Sequence, residues 1–160
     1  MMFRPILVIT LVILGLHEGN TGDLVAQCGP LSKPGWSDLG SYCVKYFPNR
    51  VPFDQAEMLC RRESSHLISI HDRVTNDAVQ RLTLSKMVWI GGIKLPNCGQ
   101  FIWTDGSSFD YTNWAPGQPD GRSICLQMNW KTPGTWDDTR CHDELGYVCA
   151  FKIDKGCRQY

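Results

Sequence analysis

Apolar residues recur at three- and four-residue spacing in two segments of the chain. In "VPFDQAEMLCRRE", residues 51–63, Phe53, Ala56, Leu59 and Cys60 share one face of a helix. Pro52 suits a first helical position, acids come early, and Arg61 and Arg62 come late, which complements the helix dipole. "HDRVTNDAVQRLTL", residues 71–84, repeats the pattern with Val74, Ala78, Val79 and Leu82. Asp77 and Arg81 are spaced for an ion pair on its outer face. Both segments are predicted to lay one apolar stripe on a shared core.

Elsewhere the apolar runs are short and rich in β-branched and aromatic residues, which predicts strands. They are "YCVKYF" from Tyr42, "LISI" from Leu67, "MVWIGGI" from Met87, "FIWT" from Phe101, "ICLQMN" from Ile124 and "GYVCAFK" from Gly146. Between Lys94 and Pro133 the chain is dense in Gly, Pro, Asn, Asp and Ser, yet it holds Trp103, Trp114 and Trp130. A long loop carrying large aromatics is expected to be ordered, and such loops tend to carry function. The fold class is α+β, with two helices followed by a strand-and-loop half and no internal repeat. Within the loop, "NWAPGQPDG" stands out, because Pro119 holds apart two oxygen-bearing side chains, Gln118 and Asp120, where no helix can form.

The N-terminus changes how the rest is read. After Arg4 comes "PILVITLVILGL" and then the small, polar "HEGNTGD", the order of a secretory signal peptide over residues 1–22. Gly19, Gly22 and Ala26 each offer a cleavage point, and the run is too short for a membrane anchor. The protein is therefore expected to be secreted and extracellular. Sixteen basic and sixteen acidic residues cancel, and no like-charged block marks a nucleic-acid or lipid surface. In an oxidising compartment the eight cysteines read as disulfides, and their spacing lacks the paired Cys-x-x-Cys sets of a zinc site. Spacing alone leaves the pairing open.

Taken in order, "CGPLSKPGWSDLGSYC", "AEMLCRRESSHLISI", "WIGG", "WTDGSSFDYTNW", "QPD", "WDDTRC" and "YVC" resemble the motifs of C-type lectin-like domains. The resemblance spans Cys28 to Phe151, with a short tail at 152–160, and is nearest to secreted fish lectins and type II antifreeze proteins. It implies two helices, two small antiparallel sheets and a long ordered loop region braced by disulfides. The implied pairs are Cys28–Cys43, Cys60–Cys149 and Cys125–Cys141. Cys98 and Cys157 fall outside this set; they pair with each other, or one of them links two chains into a homodimer.

The same resemblance implies a calcium ion held by Gln118, Asp120, Asp137 and Asp138, with a cis bond before Pro119 and a buried Trp136. In the family a sugar completes the ion's shell, and "QPD" goes with galactose or N-acetylgalactosamine. An aromatic ring usually stacks on such a sugar; Trp130 is the candidate, with a core or hairpin role as its alternative. One departure bears on the metal. The family places a glutamate shortly before the cysteine matching Cys125, whereas "QPDGRSIC" has Ser123 and Ile124 there, with Arg122 nearby. The expected function is a secreted galactose-type lectin acting in defence or agglutination. Calcium-independent sugar binding and ice binding are the alternatives. No enzyme motif is present: His66, His71 and His142 lack a nucleophile arrangement, and "HDE" at His142 reads as a solvated loop.

Overall fold

Leu145–Lys152 (β8) is buried over its first six residues. The near-continuous apolar run of this segment is what a strand covered on both faces requires. In the computed structural model, which describes Cys28 and residues 34–153, β8 is the central strand. Tyr42–Val51 (β2) pairs with it antiparallel, with a bulge between Phe47 and Val51. On the other side lies Val88–Lys94 (β4), paired with β8 in parallel at Val88/Gly146 and Trp89/Tyr147. Cys125–Met128 (β6) and Trp136–Thr139 (β7) continue the sheet antiparallel from β4. Three short strands complete it: Ser37–Asp38 (β1) on β2, His66–Leu67 (β3) on β8 and Phe101–Trp103 (β5) on β4.

The eight strands thus form one connected, mixed sheet rather than two small antiparallel ones. The parallel contact between β4 and β8 fuses the two halves. Alternation and run length reveal a buried strand but not its neighbour, so this contact is invisible in the sequence. The paired glycines after Trp89 permit close approach across the sheet. A Cβ at Gly91 would lie 2.5 Å from the Leu67 carbonyl oxygen, and one at Gly92 2.1 Å from Leu126 Cδ1.

Phe53–Arg62 (α1) buries Phe53, Ala56 and Cys60, as its spacing predicts. Pro52 sits one step earlier than expected, as the N-cap with extended backbone. Arg73–Leu82 (α2) is capped by Asp72, whose carboxylate accepts from the Thr75 amide at 2.6 Å. Here the predicted face is rotated. Val74 is 77% exposed, and the buried positions are Asn76 and Val79, followed by Thr83. A buried polar residue takes the core-facing position because Asn76 Oδ1 accepts from the Trp136 indole N–H at 2.8 Å. The helix's ion pair is Arg73–Asp77 at 3.6 Å, not the expected Asp77–Arg81.

All three implied disulfides form: Cys28–Cys43, Cys60–Cys149 and Cys125–Cys141. Cys98 is exposed and has no disulfide partner among the described residues, while Cys157 and the expected signal-peptide segment lie outside them. Among the described residues, no helix is long and apolar enough to cross a membrane. The Cys60–Cys149 bridge spans 89 residues and ties α1 to the central strand. Replacing both cysteines by alanine is expected to lower unfolding free energy by about 4–5 kcal/mol, against about 3 kcal/mol for the Cys28–Cys43 pair. Urea unfolding of the two double variants checks the order.

Candidate functional site

Trp136 fixes where the long loop runs. Its ring is fully buried and meets Trp103, Trp114 and Tyr111 edge-on at 5.6, 5.9 and 5.7 Å. Its backbone N–H donates to the Asn113 carbonyl at 2.8 Å, and its carbonyl accepts from the Ala115 N–H at 2.9 Å. The loop is thereby laid against β7, whose next two residues are Asp137 and Asp138. Three residues past Ala115 the Gln118–Pro119 peptide is cis, as the resemblance implies.

Asp138 grips the loop with both carboxylate oxygens. Oδ1 accepts from the Asp120 N–H at 2.9 Å, and Oδ2 accepts from the Ser123 N–H at 3.3 Å. The Asp120 N–H also donates to Gln118 Oε1 at 2.8 Å, so the Gln118 and Asp138 oxygens converge on one amide. Asp120 turns its own carboxylate on Arg122: Oδ1 accepts from the backbone N–H at 3.0 Å, and Oδ2 lies 3.5 Å from Nε. Asp137 Oδ2 accepts from Gln127 Nε2 at 2.7 Å across the β6–β7 pair. Asp137 and Asp138 are each only 5% exposed, whereas Pro119, Asp120 and Gly121 are open to solvent.

Burial pushes the Asp137 carboxyl above its usual range, and the charges of Asp138 and Asp120 add to this. The Gln127 hydrogen bond and Lys131 oppose it. Positive charge stands close to the loop as well. A Cβ at Gly121 would lie 3.5 Å from Lys94 Nζ, so this ammonium stands beside the turn.

Hydrogen bonds therefore join three of the five expected site residues, Gln118, Asp120 and Asp138, while Asp137 bonds Gln127 and feels the charges of Asp138 and Asp120. Trp130 does not join them. It lies in the β6–β7 turn, where its N–H donates to the Thr135 carbonyl at 3.2 Å and Lys131 Nζ sits 5.6 Å from the ring centroid. The β6–β7 ladder runs from Cys125/Thr139 to Met128/Trp136, so the turn is at the end away from Asp138's loop contacts. Sequence reasoning missed Gln127 and Lys94. Gln127 becomes legible once the β6–β7 register puts it opposite Asp137; Lys94 carries no local signal.

Calcium takes six to eight oxygens. The oxygen chemistry of the four residues suits it, but oxygens of each are already partly engaged within the protein. Both Asp138 oxygens, both Asp120 oxygens, Gln118 Oε1 and Asp137 Oδ2 already face N–H groups of the protein itself. Two cationic side chains flank the turn, and Ser123 stands near where the family places a glutamate. No group of three or more His, Cys, Asp or Glu side chains among the described residues could hold a metal ion. The loop and β7 are joined by hydrogen bonds in the place where an ion would join them.

His66 and His71 are likewise accounted for by structure. His66 Nδ1 lies 2.7 Å from Glu57, and His71 Nδ1 lies 2.7 Å from Asp110. His71 Nε2 is 3.2 Å from Ser69 Oγ, which superficially completes a serine–histidine–aspartate line. Ser69 is 1% exposed and donates its hydroxyl to Asp105 at 2.6 Å, so it has neither the access nor the free proton of a nucleophile.

The lectin C-type domain family matches residues 49–151 of the chain. A lectin of Pleurodeles waltl is 33% identical over 158 residues, covering 92% of this chain and 92% of that protein. Among solved structures, the herring type II antifreeze protein superposes with a TM-score of 0.72 at 29% identity, covering 76% of this chain and 98% of its own. A calcium-independent type II antifreeze protein does so with 0.69 at 30% identity, covering 77% and 96%.

The two aspartates of β7 should respond oppositely to neutral isosteres. Asp138→Asn replaces an acceptor by a donor against an N–H and is expected to cost about 1–3 kcal/mol. Asp137 has a folded pKa above its unfolded value, so its contribution to stability is fully present below the unfolded pKa and is lost as pH rises through the folded one. Asp137→Asn is therefore expected to leave stability at pH 7 unchanged or raised. Thermal melts at neutral pH compare the pair.

Proposed function

We propose that this chain, which belongs to the lectin C-type domain family, is a secreted carbohydrate-binding protein that takes galactose-type glycans at the Gln118–Asp120 turn without a resident calcium ion. The observation that carries this reading is the Asp138 clamp, which holds the loop in place with the protein's own amides. Gln118 Oε1 accepts from the Asp120 N–H, so Nε2 is the donor this side chain offers a ligand, two residues from the Asp120 carboxylate. A donor and an acceptor side by side match two neighbouring sugar hydroxyls. Their order along the turn distinguishes hydroxyl stereochemistry, and the rigid loop holds them before the ligand arrives.

The buried aspartates position this pair and do not themselves touch the sugar. Three disulfides support an oxidising compartment and therefore secretion. The exposed thiol of Cys98 offers a link between two copies, and a dimer would gain avidity on cell or microbial surfaces in a defence or agglutination role. The work is binding rather than catalysis. Ice binding is the second reading, favoured by the superposition on two antifreeze proteins.

Chromatography on immobilised galactose and mannose, each with calcium and with a chelator, separates these readings. Retention on galactose under both conditions is the expected result. Retention lost with chelator would return the ion to the site. Binding to neither sugar, together with thermal hysteresis in freezing solution, would establish the ice-binding reading. Asp120→Ala is expected to weaken galactose binding roughly tenfold, as loss of a hydrogen bond to a charged group does. Gln118→Glu combined with Asp120→Asn exchanges donor and acceptor and should move preference toward mannose.

A further inference from the structure

A second concavity, of about 670 Å³, lies between α2 and the loop residues that precede the Trp136 bridge. Its wall carries almost no apolar surface: Pro133 and the ring of Tyr111 are the exceptions. Arg73, Asp77 and Arg81 are spaced four apart on α2 and so stand in one row along the cleft. Arg73 is paired with Asp77 at 3.6 Å, whereas Arg81 makes no ion pair among the described residues. The row therefore carries one positive charge in excess, on a planar fork suited to a carboxylate or sulfate.

Side-chain amides furnish the rest of the wall. Gly134, with a φ of 83°, leaves its Cα open toward them. A Cβ there would lie 3.2 Å from Asn76 Nδ2, 3.7 Å from Gln80 Oε1 and 3.8 Å from Asn113 Nδ2. The Gly134 carbonyl accepts from Asn113 Nδ2 at 2.8 Å and from Asn76 Nδ2 at 3.1 Å, which fixes the floor. Tyr111 packs edge-on against Trp136 at 5.7 Å, so its ring is held in place as well. A prearranged wall of amides, one phenol and an unpaired guanidinium is chemistry for hydroxyl groups plus an anion. It is poor chemistry for an apolar ligand.

We infer that this cleft is a second binding site, for an anionic saccharide, with Arg81 taking the sulfate or carboxylate and Gln80, Asn113 and Tyr111 taking hydroxyls. It does not rest on the reading of the Gln118–Asp120 turn. Chromatography on dextran sulfate and on unsulfated dextran, with chelator throughout, tests it. The full protein is expected to be retained on the sulfated matrix alone. Arg81→Ala should weaken that retention roughly tenfold. Arg140→Ala removes the same charge from an exposed arginine paired with Asp143 at 3.0 Å and should leave it unchanged. Asp120→Ala should also leave it unchanged while weakening galactose binding. Equal losses for the Arg81 and Arg140 variants, or no preference of the parent for the sulfated matrix, would overturn the assignment. Melting curves confirm that each variant is folded.

Discussion

A buried indole N–H left without an acceptor is costly, and the side of the molecule formed by α2, the long loop and β7 is arranged around one that has its acceptor, unlike the buried indole nitrogens of Trp103 and Trp130. Trp136 Nε1 donates to Asn76, which turns α2 so that a polar residue faces the core. The backbone of Trp136 pairs with Asn113 and Ala115, which brings in the long loop. Rings of Trp103, Trp114 and Tyr111 then close around the indole. Helix, loop and β7 are thus registered to one residue, and displacing it would leave a buried donor unpaired as well as a large void.

That registration also helps fix the shape of the Gln118–Asp120 turn. A carboxylate held at 5% exposure beside a loop is costly unless it is hydrogen-bonded. Asp138 meets the requirement with two backbone amides contributed by the loop itself. An ion entering here would have to take oxygens away from those amides while Arg122 and Lys94 repel it. The cost of burying Asp138 and the order of the loop are therefore two aspects of the same interaction. Asp137 is less well served: burial raises its carboxyl pKa, two acidic neighbours add to that, and its one amide hydrogen bond only partly opposes it.

Much of this was legible in the sequence, for identifiable reasons. The spacing of Phe53, Ala56 and Cys60 gave α1 because its buried residues are apolar, and apolar spacing is the signal being read. The same signal misplaced Val74, since Asn76 owes its position to a hydrogen bond with a residue 60 positions away. The disulfide pairs and the site residues came with the motif resemblance, not with spacing. Trp130 looked available because a tryptophan in a loop can face a ligand; its place in the β6–β7 turn depends on a hairpin register that local sequence does not state. The fusion of two half-sheets into one by the β4–β8 contact had the same cause, a partner chosen by tertiary packing.

The two candidate regions differ in charge, although the whole chain is neutral at sixteen of each sign. Asp120, Asp137 and Asp138 gather on the stretches that follow the Trp114–Trp136 bridge, while Arg73 and Arg81 line the cleft beside the stretches that precede it. Charges of opposite sign held apart cannot neutralise each other by direct contact, so each group meets its needs locally. The acids do so with loop amides and Arg122, and Arg73 does so with Asp77. Arg81 has no such partner among the described residues. A rigid wall built on a buried tryptophan maintains this separation, because relaxing it would require the indole to give up Asn76. The same packing that orders the loop therefore keeps the cleft cationic.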